Sequence, residues 1–89
     1  MSDVTSHFGA ALRQMRDRRG WSQEALAERA DLNRSYVGDL ERSLAVPSLQ
    51  TLEKLASALG CTTSGLLEHV EHLADQHKVR GLQLTAIAC

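Results

Sequence analysis

The amino-acid sequence predicts an all-α fold, a compact five-helix bundle, on three observations. Apolar residues recur three and four positions apart along most of the chain. Cap-forming Ser, Asn and Thr stand just ahead of the periodic runs. Gly20, Pro47 and Gly60 punctuate them. The chain has 89 residues, 43% hydrophobic but only 3% aromatic, so one modest core has to be built from Leu, Ala and Val.

The first helix is expected from about Ser6 to Arg19, with Phe8, Ala11, Leu12 and Met15 on one face and Gly20 as its stop. Ser22 is a good N-cap for a helix over 23–30, whose Ala25, Leu26, Ala27 and Ala30 permit close approach by a neighbour. Asp31-Leu32-Asn33 breaks the pattern: Leu32 plugs the corner and Asn33 caps a third helix over 34–41. Val37 and Leu40, three apart, point inward there, which leaves Arg34, Ser35, Gly38 and Asp39 outside. A loop runs from Arg42 to Pro47. Ser48 caps a fourth helix with Leu49, Leu52, Leu55, Ala56 and Leu59 inside, and Gly60 ends it. A fifth helix, capped by Thr62 or Thr63, is expected over 63–77. Its stripe of Leu66, Leu67, Val70, Leu73 and Ala74 is longer than bundle closure needs. Leu66, Val70 and Leu73 are therefore expected to contact a second copy of the chain. The domain is placed at 1–77, and the tail 78–89 is read as strand-like, from its weak alternation, or disordered.

Residues 22–41 are the most informative stretch. Two short helices meet through a tight turn, and the second carries polar side chains on its outer face. That supersecondary unit places its second helix in a major groove of DNA.

The segments Leu12-Arg13-Gln14-Met15-Arg16, Trp21-Ser22-Gln23-Glu24-Ala25-Leu26-Ala27, Ser35-Tyr36-Val37, Leu40-Glu41-Arg42, Pro47-Ser48-Leu49-Gln50-Thr51-Leu52 and Leu55-Ala56-Ser57-Ala58-Leu59-Gly60 extend the argument. In their order and spacing, Arg13 to about Leu67 resembles the Cro/repressor (Xre-type) helix-turn-helix family. The resemblance implies a bundle of the phage-repressor DNA-binding type and a repressor-like regulator of transcription. It implies that Gln23 anchors a phosphate and that Arg16, late in the first helix, pairs with Glu41 to fix the angle of the recognition helix. After this Glu the family commonly has Gly and then basic or polar residues; here Arg42-Ser43-Leu44-Ala45-Val46 follows, which reduces the basic contribution to Arg42.

The residues themselves suggest roles for the rest of the interface. Gln23 opens a helix, where backbone N–H groups and the helix dipole favour a phosphate. Asn33, Arg42 and Ser43 join it in setting register on the backbone. Arg34 either donates two hydrogen bonds to guanine or meets a phosphate, and Ser35 can serve a base or a phosphate. Tyr36 either presents its hydroxyl to a phosphate or is a partly buried surface aromatic. Gly38 permits close approach. Asp39 either accepts from cytosine N4, opposes other bases through its charge, or pairs with Arg29, Arg34 or Arg42. Leu44 and Val46 either pack inward or form a patch for a partner.

The net charge of −1 is low for a DNA-binding chain. Its distribution compensates: Arg13, Arg16, Arg18 and Arg19 crowd the first helix, while Glu68, Glu71 and Asp75 lie late. His69 and His72 are three apart but lack further ligands, so solvated or interface roles are favoured and no metal or cofactor is expected. No nucleophile–base set, Gly-rich phosphate loop or carboxylate pair is visible, so an enzyme is not expected. Cys61 and Cys89 have no metal or redox spacing, and Cys61 is expected to be a small buried apolar group. No segment reaches the roughly 20 apolar residues of a membrane span, and Met1-Ser2-Asp3-Val4 lacks an export signal; a cytoplasmic location is expected. The sequence-level conclusion is a sequence-specific regulator that binds duplex DNA as a homodimer on a partly palindromic operator. The alternative is a protein-interaction module or antitoxin-like partner with the same fold.

Overall fold

The structure, a computed structural model, describes the backbone of residues 3–88 and the side chains of residues 4–76. Five helices follow in order: α1 (Asp3–Arg18), α2 (Gln23–Ala30), α3 (Arg34–Glu41), α4 (Leu49–Ala58) and α5 (Thr63–Ala88). The expected bounds of the two motif helices, 23–30 and 34–41, coincide with α2 and α3.

Local chemistry sets these ends. The Ser22 hydroxyl accepts from the Ala25 N–H at 3.0 Å, the Asn33 side chain from the Ser35 N–H at 2.8 Å, and the Ser48 hydroxyl from the Thr51 N–H at 3.1 Å. Thr62 caps α5, its hydroxyl accepting from the Gly65 N–H at 3.0 Å. Gly20 and Gly60 take the left-handed conformation that lets the chain turn sharply out of α1 and α4 (φ 70° and 76°).

The core draws on every helix: Phe8, Ala11 and Leu12 from α1; Leu26, Ala27 and Ala30 from α2; Val37 and Leu40 from α3; Leu52, Leu55 and Ala56 from α4, with Leu59; and Leu66 and Val70 from α5. Gly9 allows the closest approach. A methyl group there would lie 2.6 Å from the carbonyl oxygens of Leu40 and Glu41, so α1 rests directly on the last turn of α3.

Several expectations are corrected. Leu66 and Val70 have no accessible surface left, because α5 packs against α1 and α4 and uses that stripe within its own chain. They are core residues rather than free contacts for a second copy; Leu73 is half-buried against the same core. The 78–89 tail is not a strand: α5 continues to Ala88, and Cys89 lies outside the described residues. A short alternating run is a weak signal, whereas Leu, Gln and Ala are good helix formers, and the single Gly81 costs only about 1 kcal/mol in a helix. Leu49 is 77% exposed, since the first turn of α4 starts outside the packed layer. Cys61 is exposed in the turn that follows Gly60.

Candidate nucleic-acid interface

The site is built around the angle between α2 and α3. Arg16 spans the gap between α1 and α3. Its Nε donates to Glu41 Oε2 at 2.6 Å, its Nη2 to Glu41 Oε1 at 3.0 Å, and its Nη1 to the Trp21 carbonyl at 2.7 Å. The two side chains are 11% and 3% exposed. The hydrogen bond to Glu41 raises the Arg16 pKa, against the opposing effect of burial. Burial alone would push the Glu41 carboxyl up, but hydrogen bonds from Arg16 and Gln23 and the charges of Arg16 and Arg13 hold it below its ordinary value. The pairing expected between Arg16 and Glu41 is present, and it is bidentate.

Gln23 belongs to the same network. Its Nε2 donates to Glu41 Oε1 at 3.0 Å, so the half-buried side chain of the first α2 residue is tied to the last residue of α3. Trp21, just ahead of α2, is flanked by the Arg29 guanidinium at 4.4 Å and that of Arg19 at 5.3 Å from the ring centroid. Arg19 also donates to the Leu59 carbonyl, which ties this corner to α4.

On the outer face of α3, Arg34 and Ser35 are exposed in the first turn, and no described side chain pairs with Arg34. Asn33, also exposed, is occupied as the cap. Arg42 Nη2 donates to Asp39 Oδ1 at 2.8 Å, in a pair whose side chains are 62% and 43% exposed. Of the partners considered for Asp39, the structure selects Arg42. Gly38 is not outside as expected. It is buried beneath the side chains of Gln23 and Arg42, which have atoms 3.6 Å and 3.7 Å from where a Cβ would stand. Tyr36 packs its ring against the core and sets its hydroxyl 3.3 Å from Thr51 Oγ1, towards α4. The structure thus brings Gln23, Gly38, Asp39, Arg42 and the Arg16–Glu41 pair together, with Arg34 and Ser35 one turn away, and leaves Tyr36 facing the scaffold.

Ser43 ends the motif in a left-handed conformation, φ 63°, a region that glycine occupies more easily. Beyond it, Leu44, Val46 and Leu49 are each exposed, while Ala45 is packed against the core. Two contributors had escaped the sequence reading. Gly9 carried no periodic signal, because its role depends on the backbone of α3. The link from Gln23 to Glu41 joins residues 18 apart, and only the angle between the helices brings them together.

On the opposite side, His69 Nε2 lies 3.1 Å from Gln14 Oε1, and burial, then the charges of Arg18 and His72, lower its pKa. Among the described residues no group of three or more His, Cys, Asp or Glu is placed to hold a metal ion, and no helix is long and apolar enough to cross a membrane.

Comparison with known proteins matches this architecture. A helix-turn-helix family model matches residues 12–66, and the chain belongs to that family. Over 65 residues it is 45% identical to the HTH-type transcriptional regulator DdrOP3 of Deinococcus deserti, covering 73% of this chain and 50% of that protein. The crystal structure of the restriction-modification controller protein C.AhdI from Aeromonas hydrophila superposes with a TM-score of 0.67 at 42% identity, over 74% of this chain and 98% of that one. The structure of the biofilm master regulator SinR in complex with DNA superposes with a TM-score of 0.63 at 38% identity, over 67% of this chain and 97% of that one. The chain spans about half the length of the first curated relatives it matches.

Proposed function

We propose that this chain regulates transcription by binding duplex DNA in a sequence-specific manner. The observation that carries the reading is the contrast on α3. Its inner face is fixed by Val37, Leu40 and the Arg16–Glu41 pair, while Arg34, Ser35 and the Asp39–Arg42 pair remain exposed on the outer face. A helix held at a fixed angle with hydrogen-bonding side chains outward has what major-groove reading needs. In this reading Arg34 and Ser35 read bases, the N–H groups at the start of α2 meet phosphate beside Gln23, and Asn33 and Ser43 set register through nearby backbone. The regulators and the DNA complex among its relatives support the assignment.

The protein acts as a homodimer in this reading, with two recognition helices entering successive major grooves about 34 Å apart on a partly palindromic site. Its contact surface does not include Leu66 or Val70, which are enclosed in the core. Exposed Leu44, Val46 and Leu49 offer apolar area instead. The same three residues favour the second reading, a protein-interaction module in which DNA binding is weak.

Fluorescence anisotropy with a random-sequence duplex pool and the DNA upstream of the gene, titrated with salt, tests the proposal. Selective binding is expected to weaken steeply with salt and to be lost in Arg34→Ala, with sedimentation reporting a dimer. A folded protein that fails to bind either DNA at low salt would remove the DNA reading in favour of the interaction module.

A further inference from the structure

We propose that Arg42 and Asp39 together read a single G·C base pair, the arginine lying over Gly38 and held there by Asp39. This rests on the DNA-binding reading above and assigns Arg42 to a base rather than to a phosphate.

The geometry supplies the argument. Arg42 follows the last residue of α3, and its side chain folds back along the helix. Its Nη1 and Nη2 lie 3.7 Å and 3.8 Å from the position of a Cβ on Gly38, one turn earlier. The guanidinium therefore lies over Gly38, beside the Gln23 side chain, instead of extending away from the helix end. A methyl at Gly38 would meet only ordinary van der Waals contacts, so packing within the chain does not require glycine there. A side chain longer than a methyl would displace the Arg42 guanidinium, so a small residue at position 38 keeps that place open.

Asp39 holds the guanidinium in that position through the 2.8 Å bond. An exposed pair of this kind contributes little to folding, so stability does not account for its placement on the outer face of the recognition helix. The pair's chemistry does. The major-groove edge of a G·C pair presents guanine N7 and O6, both acceptors, and then the N4 amino donor of cytosine. A guanidinium joined to a carboxylate presents donors and then an acceptor in a fixed relation. An A·T pair presents a donor at adenine N6 and an acceptor at thymine O4, which breaks the match. Asp39 also discriminates by repulsion: its carboxylate opposes phosphates and the acceptor atoms of wrong bases, and is satisfied only where an amino group meets it. Fixing the guanidinium before binding reduces the side-chain entropy lost on contact.

The test is selection of bound sequences from a random duplex pool by the full chain and by Asp39→Ala and Arg42→Ala, with salt dependence measured on the selected site. Arg42 is exposed and Asp39 partly so, and circular dichroism confirms that the variants fold. Wild type is expected to enrich a motif with one G·C position preferred about tenfold over other pairs. Both variants are expected to lose preference at that position alone, and Arg42→Ala to keep the salt slope. If wild type selects a motif and either variant keeps every preference, the joint reading is overturned while operator binding stands. A salt slope reduced by about one in Arg42→Ala overturns it also, since that marks a phosphate contact. If wild type binds without enriching any sequence, or does not bind, both this inference and the specific-binding reading fall.

Discussion

Two arginine–carboxylate pairs at the C-terminal end of α3 have opposite standing in this molecule. Arg16–Glu41 lies on the inner side, 11% and 3% exposed, with hydrogen bonds to Trp21 and Gln23 as well as to each other. Asp39–Arg42 lies on the outer side, 43% and 62% exposed, joined by one hydrogen bond. The chemistry is the same and the surroundings differ. Inside, each group has lost most of its water, and the partner is what makes the buried charge tolerable. Outside, water competes with the bond and the groups remain available to another molecule. Only the first pair is architecture; the second is surface chemistry carried by that architecture.

The sharpest way to break this contrast is to remove Arg16. Arg16→Ala leaves the Glu41 carboxylate enclosed with only Gln23 beside it and releases the Trp21 carbonyl. The expected loss is about 3–5 kcal/mol, a large part of the stability of a domain this size. Thermal unfolding should show Tm falling by more than about 12 °C, because each kcal/mol corresponds to roughly 4–8 °C for a small domain. A loss below about 1 kcal/mol would show the inner pair to be no more structural than the outer one.

Acid titration examines the same pair without a truncation. The Glu41 carboxyl lies below its ordinary value in the folded state, so the unfolded chain takes up its proton first. The contribution is complete above the unfolded carboxyl value of about 4.3 and is lost as pH falls from there through the folded value. Stability measured from pH 7 to 3 should drop in that acid window. Glu41→Gln, already weaker at pH 7, should drop less steeply there.

Backbone contacts come next in size. Gly9→Ala would push a methyl into the Leu40 and Glu41 carbonyls and lift α1 from the end of α3, at an expected cost of about 1–3 kcal/mol in denaturant unfolding. Ser43→Gly should act in the opposite direction. Relief of the left-handed strain outweighs the extra freedom gained by the unfolded chain, for a gain of about 0.5–1 kcal/mol in the same measurement.

How far the molecule could be read from its sequence follows the same division between local and relational features. The helix-turn-helix was legible almost to the residue, because Ser22 and Asn33 are local caps and Val37 and Leu40 mark an inner face. The Arg16–Glu41 pair was legible through family resemblance. Contacts set by the crossing of helices were not: Gly9 against α3, Gln23 bonded to Glu41, and Arg42 folded over Gly38 leave no periodic trace. Helix α5 misled for a related reason. An apolar stripe shows that a face is covered, but whether by its own chain or by a copy depends on neighbours that one segment does not reveal. Leu66 and Val70 are covered by α1 and α4.

The smallest expected effect on folding is the one that best separates the two pairs. Asp39→Ala removes a carboxylate with partly exposed surface and frees Arg42 into water. The lost bond is worth no more than about 1 kcal/mol, and alanine is the better helix former, so the two changes offset each other. Net stability should move by less than about 0.5 kcal/mol, and chemical denaturation with an unchanged m-value would register this. The fold should be indifferent to the residue while sequence selection on DNA is not. A substantial loss of stability would mean that Asp39 braces the end of α3 as Glu41 does, and the division between an inner structural pair and an outer reading pair would then fail on the protein side before any DNA was added.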